Sequence, residues 1–291
     1  MAVTFDDLPG VVAPGEGTES LQTITEHLVH AIVSLKIPAI GFVNEGKLAP
    51  GGQPDRERAA LLGQWVSAGL ELGNHTSSHL DLHRNPLERF EEDVARGEET
   101  TRALLSSRGK PLRYFRHPFL HTGRTLETRR SLEEYLAGRG YRVAPVTIDN
   151  SEWIFARAYA LAKQRGDAKA AANVASAYVP YMEAKTEYFE RQSVRLFSRE
   201  IRQILLVHAN ALNADHFSAL AGRLRARGYS FCSLDRALED PAYRSADTFI
   251  GEGGISWLHR WALTAGGKAA ILPGEPRVPR FVMEAAGVTE E

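Results

Sequence analysis

The sequence predicts an α/β fold: parallel strands alternating with helices and closing into a distorted (β/α) barrel of seven or eight strands, similar in plan to a TIM barrel. Three observations carry this expectation. Short apolar runs suited to strands recur along the chain, and most neighbouring runs are separated by a stretch whose apolar residues fall at the three-and-four spacing of a one-sided helix. That alternation implies parallel strands joined by crossover helices. The third observation is length, since 291 residues is enough for a barrel that forms a single domain. An open doubly wound sheet is the structural rival, although no G-x-G-x-x-G fingerprint follows the first strand to mark a dinucleotide site.

Residues 2–5 form the first expected strand and run directly into two adjacent carboxylates, Asp6 and Asp7, then into Leu8-Pro9-Gly10. Residues 20–35 follow as a helix, with Leu21, Ile24, Leu28, Ala31, Ile32 and Leu35 on one face, and residues 38–43 as a strand. The same alternation pairs a helix over 54–68 with a strand over 70–73, and a helix over 86–106 with a strand over 112–115. A helix over 125–137 then leads to a strand over 141–148. Strands over 204–207 and 229–231 flank a last helix, 214–227, for seven strand candidates in all. Residues 155–200 lack strand signal and are rich in Ala, Glu, Lys and Arg, so they read as a helical insertion before the penultimate strand, broken near Val179-Pro180. Residues 235–291 read as a loop-rich extension with a short helix over 255–261, and the whole chain, 1–291, as one domain.

Bulk properties exclude several classes. A formal net charge of -1 offers no field to attract nucleic acid or a membrane surface. No apolar run is long enough to span a bilayer, and no basic-then-apolar leader opens the chain. The single cysteine, Cys232, rules out an intrachain disulfide and a multi-thiolate zinc site, and its apolar surroundings point to a buried strand residue.

Almost every expected strand is followed at once by a residue able to do chemistry: Asp6 and Asp7, His75, Arg116, Asp149, His208. In a closed parallel barrel these positions share one rim, where active sites are built. His75 and His79 lie four apart, a spacing that on a helical turn aims both rings in one direction. With Asp7 they make a three-ligand set for a cation with an open position. Ten histidines would give roughly 0.3 such pairs by chance. The rival pairs are His79/His83, with Asp81 between them, and His117/His121, interrupted by Pro118. Two adjacent aspartates make sense if one binds the cation and the other stays free to take a proton. Arg116 would hold the free carboxylate charged. His208 is either a core histidine or a proton donor, and Trp153 either a pocket wall or a core residue.

At this point the residues resemble the polysaccharide deacetylases of carbohydrate esterase family 4, the NodB-homology domain, at five short motifs in order. TFDD (4–7) looks like the first motif, which implies Asp6 as catalytic base and Asp7 as metal ligand. HTSSH (75–79) is similar to the family's metal motif, giving His75 and His79. RHPF (116–119) resembles R-x-P-[YF], in which the arginine orients the base and the backbone N–H of Phe119 helps bind the oxyanion, with Pro118 and Phe119 beside the substrate. DNSEW (149–153) is similar to D-x-x-D-W, implying a substrate-contacting Trp153 and acidic residues, Asp149 or Glu152, that tune the acid. LLVH (205–208) matches the last motif and makes His208 that acid. Departures from the family pattern are Leu8 for the usual Gly, Phe119 for Tyr and Glu152 for Asp, together with the 155–200 insertion.

The resemblance implies a hydrolase that removes acetyl groups from an N-acetylated or O-acetylated glycan, with a divalent metal, zinc first and Co2+, Mn2+ or Ni2+ as substitutes. The implied partner is the acetylated carbohydrate, with no nucleic acid and no membrane span. The sequence leaves the compartment open; the resemblance is compatible with a secreted or periplasmic protein. Two other readings stay open: an amidohydrolase of small cyclic amides or imides on the same fold, and a non-catalytic glycan-binding module.

Overall fold

A computed structural model describes residues 1–291. Its strands are β1 (Ala2–Val11), β2 (Ile40–Val43), β3 (Glu71–Asn74), β4 (Tyr114–Phe115), β5 (Arg142–Val143) and β6 (Ile204–Asn210). They form one sheet in the order β5-β4-β3-β2-β1-β6, every pair parallel. The extended run that begins with β5 pairs with β4 at its start and, through Ile148 and Leu205, with β6 at its end. The sheet therefore returns to its own edge, as the expected barrel requires. Six strands make the ring rather than seven. The candidate at 229–231 joins no ladder, because the N-terminal residue takes its hydrogen bonds instead: the Met1 amino group donates to Ser230 O, and Cys232 N–H donates to Met1 O. Cys232 is accordingly half-exposed and outside any strand, not a buried strand residue.

The helices between strands are α1 (Thr18–Ser34), α2 (Arg56–Ser67), α3 (Leu87–Arg96), α4 (Glu99–Ser106) and α5 (Leu126–Gly138). The apolar stripe of α1 is buried as its spacing predicts, from Leu21 through Ile24 and Leu28 to Ile32. The expected helix over 86–106 is two, α3 and α4, because the chain turns at Gly97, which lies against the backbone of Thr76.

The insertion comprises α6 (Glu152–Gln164) and α7 (Ala168–Phe197), followed after β6 by α8 (Ala211–Ala226). Its break falls at Gly166-Asp167 and not at Pro180. Gly166 takes φ +69°, and the Asp167 carboxylate caps α7 by accepting from Ala170 N–H. Pro180 is carried inside α7, whose face of Tyr178, Tyr181, Met182, Tyr188 and Phe189 is buried, and that packing outweighs the missing hydrogen bond. The tail is more helical than expected, with α9 (Leu234–Leu238), α10 (Trp257–Gly266) and α11 (Arg280–Ala286). A main core cluster of 59 buried residues runs from Met1 to Ala286 and includes side chains of β1, α7 and α11, so insertion and tail share the core of the barrel. No helix is long and apolar enough to cross a membrane.

Candidate active site

The first strand does not end before its carboxylates. On β1, Phe5 pairs with Gly41 and Leu8 with Val43, so two residues, Asp6 and Asp7, stand opposite the single Phe42. This is a β-bulge. Asp7 occupies the left-handed region at φ +72°, and the break in alternation brings both side chains to the cleft at the same end of the barrel. Asp6 stands beside His208 in the β1–β6 register. Its Oδ2 lies 3.6 Å from Arg116 Nη1 and 3.8 Å from His75 Nε2, while Oδ1 is buried without a partner. Burial dominates and pushes the Asp6 carboxyl up to about 6, against the pull of Arg116 and His208. Burial would raise Asp7 too, but Lys47 and His79, with His208 and His75, hold it well below the usual carboxylate range.

His75 and His79 follow β3, not on a helical turn as their spacing suggested but on an irregular loop with Thr76 at φ +62° and His79 at φ +54°. Asn74 Oδ1 accepts from Thr76 N–H at 2.7 Å, and Asp93 holds the far side, accepting from Ser77 N–H through its carbonyl and from Ser78 N–H through its carboxylate. The ring centroids of His75 and His79 are 4.9 Å apart. His75 Nδ1 lies 2.8 Å from Arg116 O, a hydrogen bond that puts the proton on Nδ1 and leaves Nε2 as a lone-pair donor. Burial keeps both rings below the ordinary histidine value.

One ligand atom each from Asp7, His75 and His79 can be chosen so that all lie within 4.8 Å of one another. Asp7 Oδ1 is buried with no hydrogen-bond partner, and His79 Nε2 is 3.7 Å from it. An orphaned carboxylate oxygen facing two neutral imidazoles is a donor set that fits a divalent cation. Of the rival histidines, His83 and His121 are engaged elsewhere. His83 and His121 stack at 3.9 Å, with His121 Nδ1 held by Asp81 and both His83 nitrogens paired, to Glu252 O and Gly123 N–H.

Arg116 is fully buried; its Nη2 donates to Thr4 Oγ1 and its guanidinium lies over Phe42. Phe119, at φ +57°, is exposed and packs edge-on against His79 at 4.4 Å. Pro118 is buried and does not line the cleft, so it is not placed to touch a substrate there.

The opposite wall is α6 and β6. Glu152 is completely buried and accepts from His208 Nδ1 at 2.8 Å, Asn210 Nδ2 at 2.5 Å and Asn213 Nδ2 at 2.7 Å. Glu152, not Asp149, is therefore the partner of His208. Burial alone would lower His208, but the Glu152 hydrogen bond and charge, then Asp7 and Asp6, raise it to about 9. Asp149 accepts instead from Asn150 N–H, is pushed up to about 6 by burial, and sits between two cavities. One is a cleft of about 560 Å³, lined by Asp6, Asp7, His75, His79, Phe119, Trp153 and His208. The other, about 1260 Å³, lies between α7 and the tail. Trp153 is 44% exposed on the cleft, a wall residue and not a core one.

Sequence reasoning did not reach Lys47, whose Nζ is 3.4 Å from Asp7 Oδ1, nor Asn210, Asn213 and Asn44. His117, buried with an unpartnered Nδ1, also lines the cleft. Proximity in sequence to LLVH was the one available signal for Asn210 and Asn213, and Lys47 and Asn44 carried none; His117 stood in RHPF and in a rival histidine pair.

Comparison with known proteins agrees with this geometry. Residues 1–136 match the family model described as polysaccharide deacetylase. Over these residues, a little under half of the chain, the sequence is similar to the polysaccharide deacetylases. The match contains the TFDD, HTSSH and RHPF motifs, whereas DNSEW and LLVH lie beyond it. No curated protein matches the chain. Among solved structures, a peptidoglycan deacetylase from Bacillus subtilis is 18% identical, covering 82% of this chain and 89% of its own, with a TM-score of 0.48. A family 4 carbohydrate esterase from Streptomyces lividans, in complex with acetate, is 21% identical over 80% of this chain and 90% of its own, with a TM-score of 0.45. A family 4 pseudoenzyme from Bacillus anthracis is 12% identical over 82% of this chain, with a TM-score of 0.47, and this chain spans 65% of that protein's length.

Proposed function

We propose that the protein is a hydrolase that releases acetate from an N- or O-acetylated carbohydrate, with a divalent cation, zinc first, held by Asp7, His75 and His79. The observation that carries this reading is that the three donors converge within 4.8 Å in a cleft that also holds an unligated carboxylate and a glutamate-paired histidine. A cation held by Asp7, His75 and His79 would supply Lewis-acid polarisation of the acetyl carbonyl and a lowered pKa for water. Asp6 takes the proton of the attacking water, and Arg116 keeps that carboxylate oriented from 3.6 Å. The backbone N–H of Phe119 stabilises the charge developing on the acetyl oxygen, a contribution of about 2.7–4 kcal/mol for one such donor. His208, its Nδ1 held by Glu152, delivers a proton from Nε2 to the departing amine or alcohol. Trp153 and Phe119, both exposed on the cleft, give the sugar apolar faces to lie against.

The chain acts as one domain on this reading, with the insertion extending the groove past Asp149 towards the second cavity. A second reading, hydrolysis of a small cyclic amide, draws on the aliphatic side of the cleft, where Val11, Val12 and Pro14 lie near Ala156, Ala160 and Leu161. Acetate release from N- and O-acetylated oligosaccharides, with ring opening of allantoin-like compounds assayed alongside, separates the two. The deacetylase reading expects acetate from at least one glycan, abolished by chelator and restored by Zn2+; ring opening alone would favour the second.

A further inference from the structure

Asp7 and His79 both occupy left-handed backbone that side chains rarely adopt, and such residues persist only where their surroundings over-determine them. A four-residue segment after β2, Asn44-Glu45-Gly46-Lys47, touches the bulge that carries Asp7 and the loop that carries both histidines. Asn44 is 1% exposed; its N–H donates to Leu8 O at 3.1 Å, and its Nδ2 donates to His75 O at 2.6 Å. Gly46 N–H donates to Ser77 O at 2.8 Å, and Lys47 Nζ donates to Asp7 O at 3.0 Å. The approach at Gly46 is too close for a side chain, since a Cβ there would stand 2.7 Å from Ser77 O. The segment is itself anchored. The Glu45 carboxylate accepts from Thr100 and Thr101 N–H at the start of α4, and Arg58 Nη1 donates to Lys47 O at 3.0 Å.

We propose that Asn44–Lys47 is a clamp that sets the spacing between Asp7 and the two histidines, with Asn44 and Gly46 as positioning residues for the cation. The clamp rests on the reading of Asp7, His75 and His79 as ligands. None of its four residues lines the cleft, so it acts through the ligand-bearing backbone and not on substrate. Lys47 grips the main chain of a ligand while its ammonium repels the cation. Asn44 and Gly46 are therefore the cleaner probes, because changing them alters no charge.

The test uses the full chain as wild type, Asn44→Ala and Gly46→Ala, with Leu28→Ala, a buried α1 change remote from the segment, as a destabilised control. Zn2+ dissociation constants are measured by chelator competition, Co2+ uptake by visible absorption, and thermal midpoints on the metal-free proteins. Asn44→Ala and Gly46→Ala are expected to weaken Zn2+ binding by about 10–100-fold and to alter the Co2+ spectrum. Leu28→Ala is expected to lower the midpoint and keep wild-type affinity. Should Asn44→Ala not fold, Gly46→Ala decides alone. Wild-type affinity and spectrum in the clamp variants, or equal weakening in Leu28→Ala, would overturn the clamp. A wild type that takes up neither metal would instead overturn the ligand assignment beneath it.

Discussion

Replacing Glu152 by glutamine changes one atom in a fully buried side chain and removes the charge beneath His208. The glutamine retains the shape and can still accept from Asn210 and Asn213, so the network loses its charge more than its packing. Burial works to lower His208, and the Glu152 hydrogen bond and charge are the first influences that overcome it, raising the ring from 6.5 to about 9. At about 1.36 kcal/mol per pKa unit, that rise is roughly 3 kcal/mol of preference for the imidazolium. Without the glutamate charge the ring falls to the ordinary value or below. As the proton donor, His208 works only when protonated, so losing the glutamate charge moves the alkaline limb of kcat/KM to lower pH. For the metal-free ring, values of about 9 and 6.5 correspond at pH 8 to roughly nine-tenths and about 3% protonated, so the loss of activity at pH 8 is at most about 30-fold and shrinks as pH falls. The assay is a pH profile of acetate release from the best glycan substrate, with bound zinc quantified alongside. A variant whose alkaline limb stays at the wild-type pH with wild-type activity would refute the claim that Glu152 sets the acid.

The remaining predictions concern the other wall of the cleft and the fold itself. Asp6→Asn is expected to lower acetate release by about 10²–10⁴-fold while zinc per chain, measured by atomic emission, stays at the wild-type value, because the proposed role of Asp6 is that of base and not of ligand. His75→Ala should lose both bound metal and turnover, with a circular dichroism spectrum that stays native. Trp153→Ala should raise KM about tenfold with a smaller change in kcat, since the ring is a wall exposed to the cleft and makes no contact with the reacting atoms. In the metal-free protein the raised His208 value stabilises the fold most fully below about 6.5, and this contribution is lost as pH rises through about 9. Thermal midpoints followed from pH 6 to 10 should therefore fall more in wild type than in Glu152→Gln.

Much of the site could be read before any coordinates, because a parallel barrel carries the C-terminal ends of its strands to one rim and each strand announces its own end in sequence. Asp6, Asp7, His75, Arg116 and His208 were found in that way, and the structure places them around one cleft or directly behind it. What remained hidden depends on contacts between distant residues. The choice of Glu152 over Asp149 turns on how α6 docks against β6, across 56 residues of chain. Local propensity also misjudged the helix break, since the buried aromatic face of α7 holds Pro180 inside a helix that its sequence alone would interrupt. The sequence by itself picked out Asp6, Asp7, His75, Arg116 and His208 as candidates and placed them at one end of the barrel. Only the tertiary structure decided how they face one another. A bulge of one residue, not strand periodicity, turns two adjacent carboxylates into the same cleft, and an irregular loop held by Asn44 and Asp93, not a helical turn, brings two histidines to Asp7.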